Sequence, residues 1–177
     1  MIIKSLTIFC SASNKIDKKF FKMSKEVAEI ISNYNIKVIY GGGNVGLMGV
    51  IAKTLASLNK EVIGVIPKFL IKKEKISLKV KQLKIVSSMS KRKEYLYKLG
   101  DAYLILPGGT GTLEEVIEVL SWKILKLHNK PIIFLNFDNY WTPLLKQFEK
   151  IIEYKFGNKN LQNQFLVINS QITLVIS

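Results

Sequence analysis

The sequence predicts a three-layer α/β fold, in which helices cover both faces of a doubly wound, mostly parallel sheet, as in a modified Rossmann fold. Short and nearly continuous apolar segments alternate with segments of helical apolar periodicity. Two glycine-rich turns each follow an apolar segment and precede a helical one. No repeat or low-complexity linker interrupts this alternation, and 177 residues fit a single Rossmann-like domain over residues 1–177.

The first half of the chain is predicted to contain three strands and two helices. Residues 2–9 form a mostly apolar segment that predicts a buried strand, and residues 17–33 carry apolar side chains at helical spacing. Residues 37–40 are a short strand that ends at three glycines. A helix of small and apolar residues follows at 45–58, and the strand at 61–66 stops at a proline.

The second half continues the same alternation. Residues 79–87 alternate lysine with apolar residues and predict a strand with one exposed face. A short helix is expected over residues 90–99. The strand at 102–106 stops at Pro107-Gly108-Gly109. The remaining predicted elements are helices at 112–125 and 141–154, a strand at 131–135, and short apolar runs at 165–168 and 173–176.

The composition limits the kinds of molecule that the protein is expected to bind. The formal charge is +14, but the lysines are scattered along the whole chain without a long basic run, so we expect anionic small molecules and no nucleic acid as partners. No apolar run approaches the roughly 20 residues that span a bilayer, so we expect no membrane partner.

The apolar N-terminus is interpreted as a strand and not as a signal peptide. Together with the single Cys10, this predicts a cytoplasmic protein.

Arginine usage singles out one residue. Of the 27 basic residues, Arg92 is the only arginine. A guanidinium offers a planar fork of donors to a phosphate or carboxylate, which an ammonium cannot imitate. Arg92 is therefore a candidate for a functional position at which lysine does not suffice. The alternative is that this single arginine has been retained by chance.

The first glycine turn, residues 41–49, formally matches the G-x-G-x-x-G pattern of dinucleotide sites. Such a site also needs an acidic residue at the end of the next strand to bind the ribose. That strand ends here in Pro67-Lys68, and Glu61 lies at its opposite end. The sequence therefore argues against NAD, and no cofactor is predicted. A tight turn that packs a helix against the sheet is the structural alternative.

The second glycine turn, Pro107-Gly108-Gly109-Thr110-Gly111-Thr112, combines exposed amides, two hydroxyls and a helix N-terminus. These groups favour a phosphate. Glu114 and Glu115 follow in the first helical turn, where acidic residues also suit the helix dipole. The chemistry of the turn does not choose between the two glutamates.

Both glycine turns are expected at the carboxyl ends of parallel strands, where ligands bind in open α/β sheets. The segment from Cys10 to Ser13 follows the first strand and falls at the same edge. We therefore include Ser13, Gly42 and Gly43 among the predicted substrate-binding residues.

Four motifs in this order resemble the LOG ("lonely guy") family over residues 4–155. They are YGGGNVGLMG at 40–49, EVIGVIP at 61–67, MSKRK at 89–93 and PGGTGTLEE at 107–115. The resemblance implies a phosphoribohydrolase that cleaves the N-glycosidic bond of an N6-substituted adenosine 5′-monophosphate, releasing the cytokinin base and ribose 5-phosphate. It also implies a homodimer and no cofactor.

The resemblance assigns roles to individual residues. Arg92 and Glu115 match the catalytic pair of the family, which decides between the two adjacent glutamates. The other residues implied to contact substrate are Glu74, Lys93, Gly109, Thr110, Gly111, Thr112, Leu113, Glu114 and Ser121. The chain departs from the family pattern at Ser11, Ser90 and Ile124, where a glycine, a histidine and a glutamine are usual.

A carboxylate mechanism is the chemistry that the residues favour. Hydrolysis of an N-glycosidic bond passes through a ribosyl cation, which a carboxylate such as that of Glu115 can stabilise while it orients water. The single histidine, His128, lies in a predicted loop and is expected to have a surface or packing role. With one histidine and one cysteine, no metal site is predicted.

Three other activities are weighed against this one. The lysine decarboxylase label formerly given to the family lacks support, because no lysine stands out as a Schiff-base residue for pyridoxal phosphate. A general purine or pyrimidine nucleotide nucleosidase is one alternative. A non-catalytic carrier of nucleotides or of molybdenum cofactor is the other.

Overall fold

The computed structural model of the protein describes residues 2–74, 76, 80 and 82–170. Seven strands form one sheet, flanked by helices that connect them. The strands are β1 (Ser5–Phe9), β2 (Lys37–Tyr40), β3 (Val62–Pro67), β4 (Gln82–Val86), β5 (Ala102–Ile105), β6 (Ile132–Leu135) and β7 (Leu166–Ile168). The α-helices are α1 (Lys18–Ser32), α2 (Gly46–Ser57), α3 (Ile71–Glu74), α4 (Met89–Leu99), α5 (Thr110–Ile124) and α6 (Thr142–Glu153), with 3-10 turns at Lys68–Leu70, Phe137–Asn139 and Lys159–Gln164.

The strand order is β4-β3-β2-β1-β5-β6-β7, and all six strand pairs are parallel. The chain winds outward from β1 in one direction, then returns to place β5 on the other side of β1. This reversal between β1 and β5 opens a crevice at the carboxyl ends of the strands, which is where ligands bind in such sheets. The predicted fold class is confirmed.

Two hydrophobic cores lie on the two faces of the sheet, because successive side chains of a strand point to opposite faces. In β1, Leu6 and Ile8 pack with α1 and α2, whereas Phe9 packs with α4 and α5. All five positions of β1 are buried. The buried hydroxyl of Thr7 donates to the backbone oxygen of Leu96 and so joins the central strand to α4.

The observed elements depart from the predicted ones at several boundaries. The first strand begins at Ser5, and Ile2 is exposed. Strand β4 begins at Gln82; residues 79 and 81 of the prediction lie outside the described residues, as do residues 173–176. Helix α5 begins at Thr110, two residues before the predicted start, because Gly109 is the N-cap. The four-residue helix α3, which carries Glu74, was not predicted because one turn has too few residues for a helical period.

In the ranges that the structure describes, no helix combines the length and the apolar character needed to cross a membrane.

Candidate active site

A cleft of about 150 Å³ lies at the carboxyl ends of β1 and β2, between the N-termini of α4 and α5. Its walls combine four charged side chains with glycine backbone and two methionines. The lining residues are Ile8, Phe9, Cys10, Ala12, Gly41, Met48, Glu74, Met89, Arg92, Gly109, Gly111, Thr112, Glu114 and Glu115. Half of the predicted site residues, including Arg92 and Glu115, therefore meet in one place.

Arg92 lies in the first part of α4 and is buried, with 7% of its surface exposed. The Ser88 side chain caps this helix by accepting a hydrogen bond from the Lys91 backbone N–H, which fixes the first turn. Arg92 Nη2 donates to the backbone oxygen of Gly41 at 2.9 Å. A Cβ atom at residue 41 would lie 2.2 Å from Nη2, so this close approach requires glycine.

The guanidinium also retains free donor capacity. Arg92 Nη2 lies 3.8 Å from Glu74 Oε2, an ion pair at the edge of the distance range. Within the described part of the chain, Arg92 Nε is buried and has no hydrogen-bond partner. Because a buried donor without a partner is unfavourable, this N–H is available for a ligand in the cleft.

Glu74 forms the opposite wall of the cleft. Its backbone oxygen accepts a hydrogen bond from the Asn44 N–H at 2.9 Å, which joins α3 to the first glycine turn. Its Oε2 is buried without a hydrogen-bond partner among the described residues. Burial raises the pKa of the Glu74 carboxyl, against the opposing charges of Arg92 and Lys73.

Glu115 lies on α5, one residue beyond the exposed Glu114, and its carboxyl faces the cleft. The pKa of Glu115 is raised to about 7, chiefly by burial. The charge of Arg92 opposes this rise, the neighbouring carboxylates Glu114 and Glu74 add to it, and Lys93 lowers it slightly. A carboxyl with this pKa exchanges its proton at neutral pH, as an acid–base group requires.

The second glycine turn is open toward the cleft. A Cβ atom at Gly109 or at Gly111 would meet no other atom within 4 Å. Gly109 is the N-cap of α5, and no side chain caps this helix end, so its first N–H groups remain available to an anion. The Tyr140 hydroxyl donates to the Gly108 oxygen at 2.7 Å and holds the turn in place.

The first glycine turn, in contrast, is filled by protein. A Cβ atom at Gly42 would lie 2.9 Å from Ile66, and one at Gly43 would lie 2.6 Å from Glu74 Oε2. Gly46 has a φ of +58° and would place a Cβ 2.5 Å from the Ser11 oxygen. Of these glycines, Gly41 lines the cleft, whereas Gly42 and Gly43 do not. The turn therefore packs against the end of β3, against α3 and against the loop after β1.

Three other predicted contacts lie outside the cleft. Ser13 lines a neighbouring cavity of about 200 Å³, which shares Gly109 with the cleft. Ser121 lies six residues beyond Glu115, about 9 Å along the helix axis, in an apolar groove between α5 and α6. Lys93 forms ion pairs with Glu114 and Glu118. The roles of these residues in substrate binding stay predictions.

Three more predicted contacts, all in the first turn of α5, differ in their surroundings. Thr110 is exposed at the start of α5, and the partly buried Leu113 packs into the core beneath α5. Thr112 is buried at the base of the cleft.

Sequence reasoning did not assign Met48 and Met89 to the site, although both line the cleft. Their proximity to the motif glycine Gly41 and to Arg92 was the available signal, but an apolar residue beside a motif is more often part of the core. Cys10, at the end of β1, also lines the cleft; burial raises the pKa of its thiol, which therefore stays protonated.

His128 lies away from the cleft. Its Nε2 contacts the Val119 oxygen at 2.9 Å, and its ring packs edge-on against Tyr103. Burial lowers its pKa. No group of three or more histidine, cysteine, aspartate or glutamate residues in the described ranges is arranged to hold a metal ion.

Sequence comparison relates the chain to proteins with named activities. A family model described as "possible lysine decarboxylase" matches residues 48–177. A probable cytokinin riboside 5′-monophosphate phosphoribohydrolase of Oryza sativa subsp. japonica is 39% identical over 160 residues, which are 88% of this chain and 66% of that protein. A cytokinin riboside 5′-monophosphate phosphoribohydrolase of Arabidopsis thaliana is 40% identical over 155 residues, covering 86% of this chain and 72% of the relative. The chain thus spans about two-thirds of the length of such relatives.

Solved structures share the architecture at low sequence identity. The molybdenum cofactor carrier protein of Chlamydomonas reinhardtii is 18% identical with a TM-score of 0.72, over 95% of this chain and 91% of that chain. The molybdenum cofactor binding protein of Rippkaea orientalis is 20% identical with a TM-score of 0.70, over 97% and 93% of the two chains. At this identity the likeness shows the fold alone.

The matches at 39–40% identity agree with the four motifs, three of which contribute residues to the cleft. On this evidence the chain belongs to the LOG family of cytokinin riboside 5′-monophosphate phosphoribohydrolases, as its motifs predict.

Proposed function

We propose that the protein hydrolyses the N-glycosidic bond of a nucleoside 5′-monophosphate, an N6-substituted AMP, to the free base and ribose 5-phosphate. The observation that carries this proposal is the meeting of Arg92 and Glu115 in one cleft beside the open glycine turn. The names of the relatives at 39–40% identity support the same reaction.

The 5′-phosphate binds at the N-terminus of α5. The space beside Gly109 and Gly111 is unoccupied by protein atoms, and the uncapped helix end supplies N–H donors and a favourable dipole. The Thr112 side chain lies at the base of the same cleft. Binding energy from this non-reacting phosphate positions the ribose at the reacting centre, so a free nucleoside reacts poorly.

Glu115 acts on the ribose in its ionised form. As the C1′–N9 bond breaks, its electron pair leaves with the base, and the carboxylate stabilises the positive charge that develops at C1′. Water then bonds to C1′ and gives a proton to Glu115, while the departing base takes a proton from solvent. With a pKa of about 7, Glu115 can be ionised while it stabilises the charge at C1′, and it can then accept the proton that water releases.

Arg92 orients the charges around the ribose. Its Nη2 is held by the Gly41 oxygen and lies beside Glu74, which leaves the buried Nε for a ligand oxygen. The guanidinium also favours the ionised form of Glu115, since its charge lowers the pKa of that carboxyl.

The decarboxylase description of the family model does not fit the cleft. Pyridoxal phosphate chemistry needs a lysine that forms a Schiff base. Among the described residues no lysine lines the cleft, and Lys93 beside it is paired with two glutamates.

The experiment that tests the proposal measures ribose 5-phosphate release from AMP and from N6-isopentenyl-AMP, with the two matching nucleosides as controls. We expect release from the monophosphates and little from the nucleosides. Equal rates on nucleosides would remove the phosphate anchor, and no release from any nucleotide would contradict the hydrolase proposal. Comparison of the two monophosphates decides whether the N6 substituent is required.

We further propose that the protein acts in the cytoplasm as a homodimer. The single cysteine is buried and free, which suits a reducing compartment. On α5, Ile117, Trp122 and Ile124 are 36–46% exposed, and apolar side chains grouped on one helix favour contact with a second copy.

A further inference from the structure

Lys93 follows Arg92 on α4, but its side chain is directed to α5 and not to the cleft. Its Nζ lies 2.5 Å from Glu114 Oε1 and 2.6 Å from Glu118 Oε2. The Lys93 side chain is 21% exposed, and the two carboxylates raise the pKa of its ammonium group. Lys93 therefore remains charged and held between two turns of the neighbouring helix.

Tyr97 extends this contact by one helical turn. Residues four apart share a helix face, so Tyr97 lies beside Lys93 on α4. Its hydroxyl donates to Glu118 Oε2 at 2.8 Å, and its ring packs edge-on against Trp122 with the centroids 5.2 Å apart. On α5, Glu114, Glu118 and Trp122 are likewise spaced by four residues. We call the contacts among these five residues the α4–α5 zipper.

The zipper lies next to the candidate catalytic pair on both helices. Lys93 adjoins Arg92 on α4, and Glu114 adjoins Glu115 on α5. A sliding or rotation of one helix against the other would change the separation of the guanidinium and the Glu115 carboxyl. The zipper resists this displacement, because Glu118 accepts from both Lys93 and Tyr97.

We propose that Lys93 is a positioning residue, which ties α4 to α5 through Glu114 and Glu118 and so sets the placement of Arg92 relative to Glu115. This inference rests on the proposed hydrolase function for its kinetic consequences, whereas the coupling of the two helices does not depend on it. It assigns Lys93 a task different from the substrate contact that the family resemblance implies.

The first experiment compares Lys93→Gln, Glu118→Gln and the double variant in AMP hydrolysis. We expect each single variant to lower kcat by about ten- to a hundredfold through misplacement of the pair, with KM for AMP little changed. The double variant loses no more than the worse single variant, because both changes break one contact. Lys93→Arg restores much of the rate, and Lys91→Gln, which removes an ion pair confined to α4, is the matched control.

Two further readouts separate positioning from substrate binding and from a purely structural role. Lys93→Gln leaves the preference for AMP over adenosine unchanged. It moves the acidic limb of the kcat/KM profile for AMP to higher pH, because the charge of Lys93 lowers the pKa of Glu115. A tenfold rise in KM for AMP together with loss of the phosphate preference would overturn the inference. Fully additive losses in the double variant would overturn it as well.

A stability measurement keeps the inference apart from the proposed function. If the wild-type protein hydrolyses no nucleotide, the hydrolase proposal fails. Urea unfolding of the wild type, Lys93→Gln, Glu118→Gln and the double variant still tests the coupling of the two helices. Non-additive shifts of the unfolding midpoint support the zipper, and additive shifts contradict it.

Discussion

Glu115 shows how a single side chain can gain reactivity at a cost in stability. Burial raises its pKa to about 7, so the folded protein holds a proton there that the unfolded chain releases near pH 4.5. Stability is therefore highest below pH 4.5 for this group and is lost as pH rises from about 4.5 to 7.

Replacement of this carboxyl should separate activity from stability. We expect Glu115→Gln to lower ribose 5-phosphate release by several orders of magnitude, because the amide cannot carry the charge that stabilises the ribosyl cation. At pH 8 the same variant is expected to be more stable by about 1–3 kcal/mol, since a buried charge is removed. Turnover assays and urea unfolding at pH 8 check both expectations; near-normal turnover would refute the role of Glu115.

The charges around Glu115 predict a pH profile. If the ionised carboxylate is active, kcat/KM for AMP rises with pH through about 7 and then levels off. Glu114→Gln removes a neighbouring negative charge that raises the pKa of Glu115, so the rising limb moves to lower pH. Glu149→Gln, on α6, is the control. An unchanged limb in Glu114→Gln would contradict the electrostatic account.

At the scale of elements, the two glycine turns resemble each other in composition and differ in packing. Both connect a strand to a helix, yet Gly42 and Gly43 of the first turn are closely packed, whereas the space beside Gly109 and Gly111 of the second is open. The difference arises because the first turn lies under α3 and beside the β1–α1 loop, whereas the second projects into the crevice between β1 and β5.

Alanine substitution in the two turns should have opposite consequences. Gly111→Ala places a methyl group where no protein atom lies and favours helix α5, so stability is kept or gains about 0.5–1 kcal/mol while KM for AMP rises. Gly46→Ala forces a side chain into a positive-φ position beside the Ser11 oxygen and is expected to destabilise by about 1–3 kcal/mol. Thermal unfolding and AMP titration distinguish the two effects; equal destabilisation would contradict the proposed open phosphate site.

At the scale of the whole molecule, the net charge of +14 should assist capture of an anionic substrate. Raising the ionic strength from about 0.01 M to 0.15 M shortens the Debye length from about 30 Å to 8 Å. We expect kcat/KM for AMP to fall several-fold over this range, and that for adenosine to stay constant. Steady-state kinetics at the two salt concentrations measure this difference; parallel changes for both substrates would show that long-range charge plays no part.

The proposed dimer gives a second prediction at this scale. Ile117→Glu with Ile124→Glu places two charges on the exposed apolar face of α5 and is expected to yield a monomer by sedimentation velocity. Leu58→Glu, at an equally exposed apolar residue at the end of α2, is the control and should remain dimeric. A dimer that survives the double substitution would place the contact elsewhere.

The sequence by itself determined the alternating parallel fold and the two glycine turns at the strand ends. It also indicated the pairing of Arg92 with Glu115. These features depend on local periodicity, on turn chemistry and on long motifs, all of which are legible along the chain.

Only the tertiary structure decided the rest. In the folded chain Gly42 and Gly43 are packed against other residues, the Lys93 side chain contacts Glu118, and burial raises the pKa of Glu115. Each of these outcomes depends on the distance and orientation between elements far apart in the chain. Burial and electrostatic interactions arise between neighbours in space, which residue spacing along the sequence does not specify.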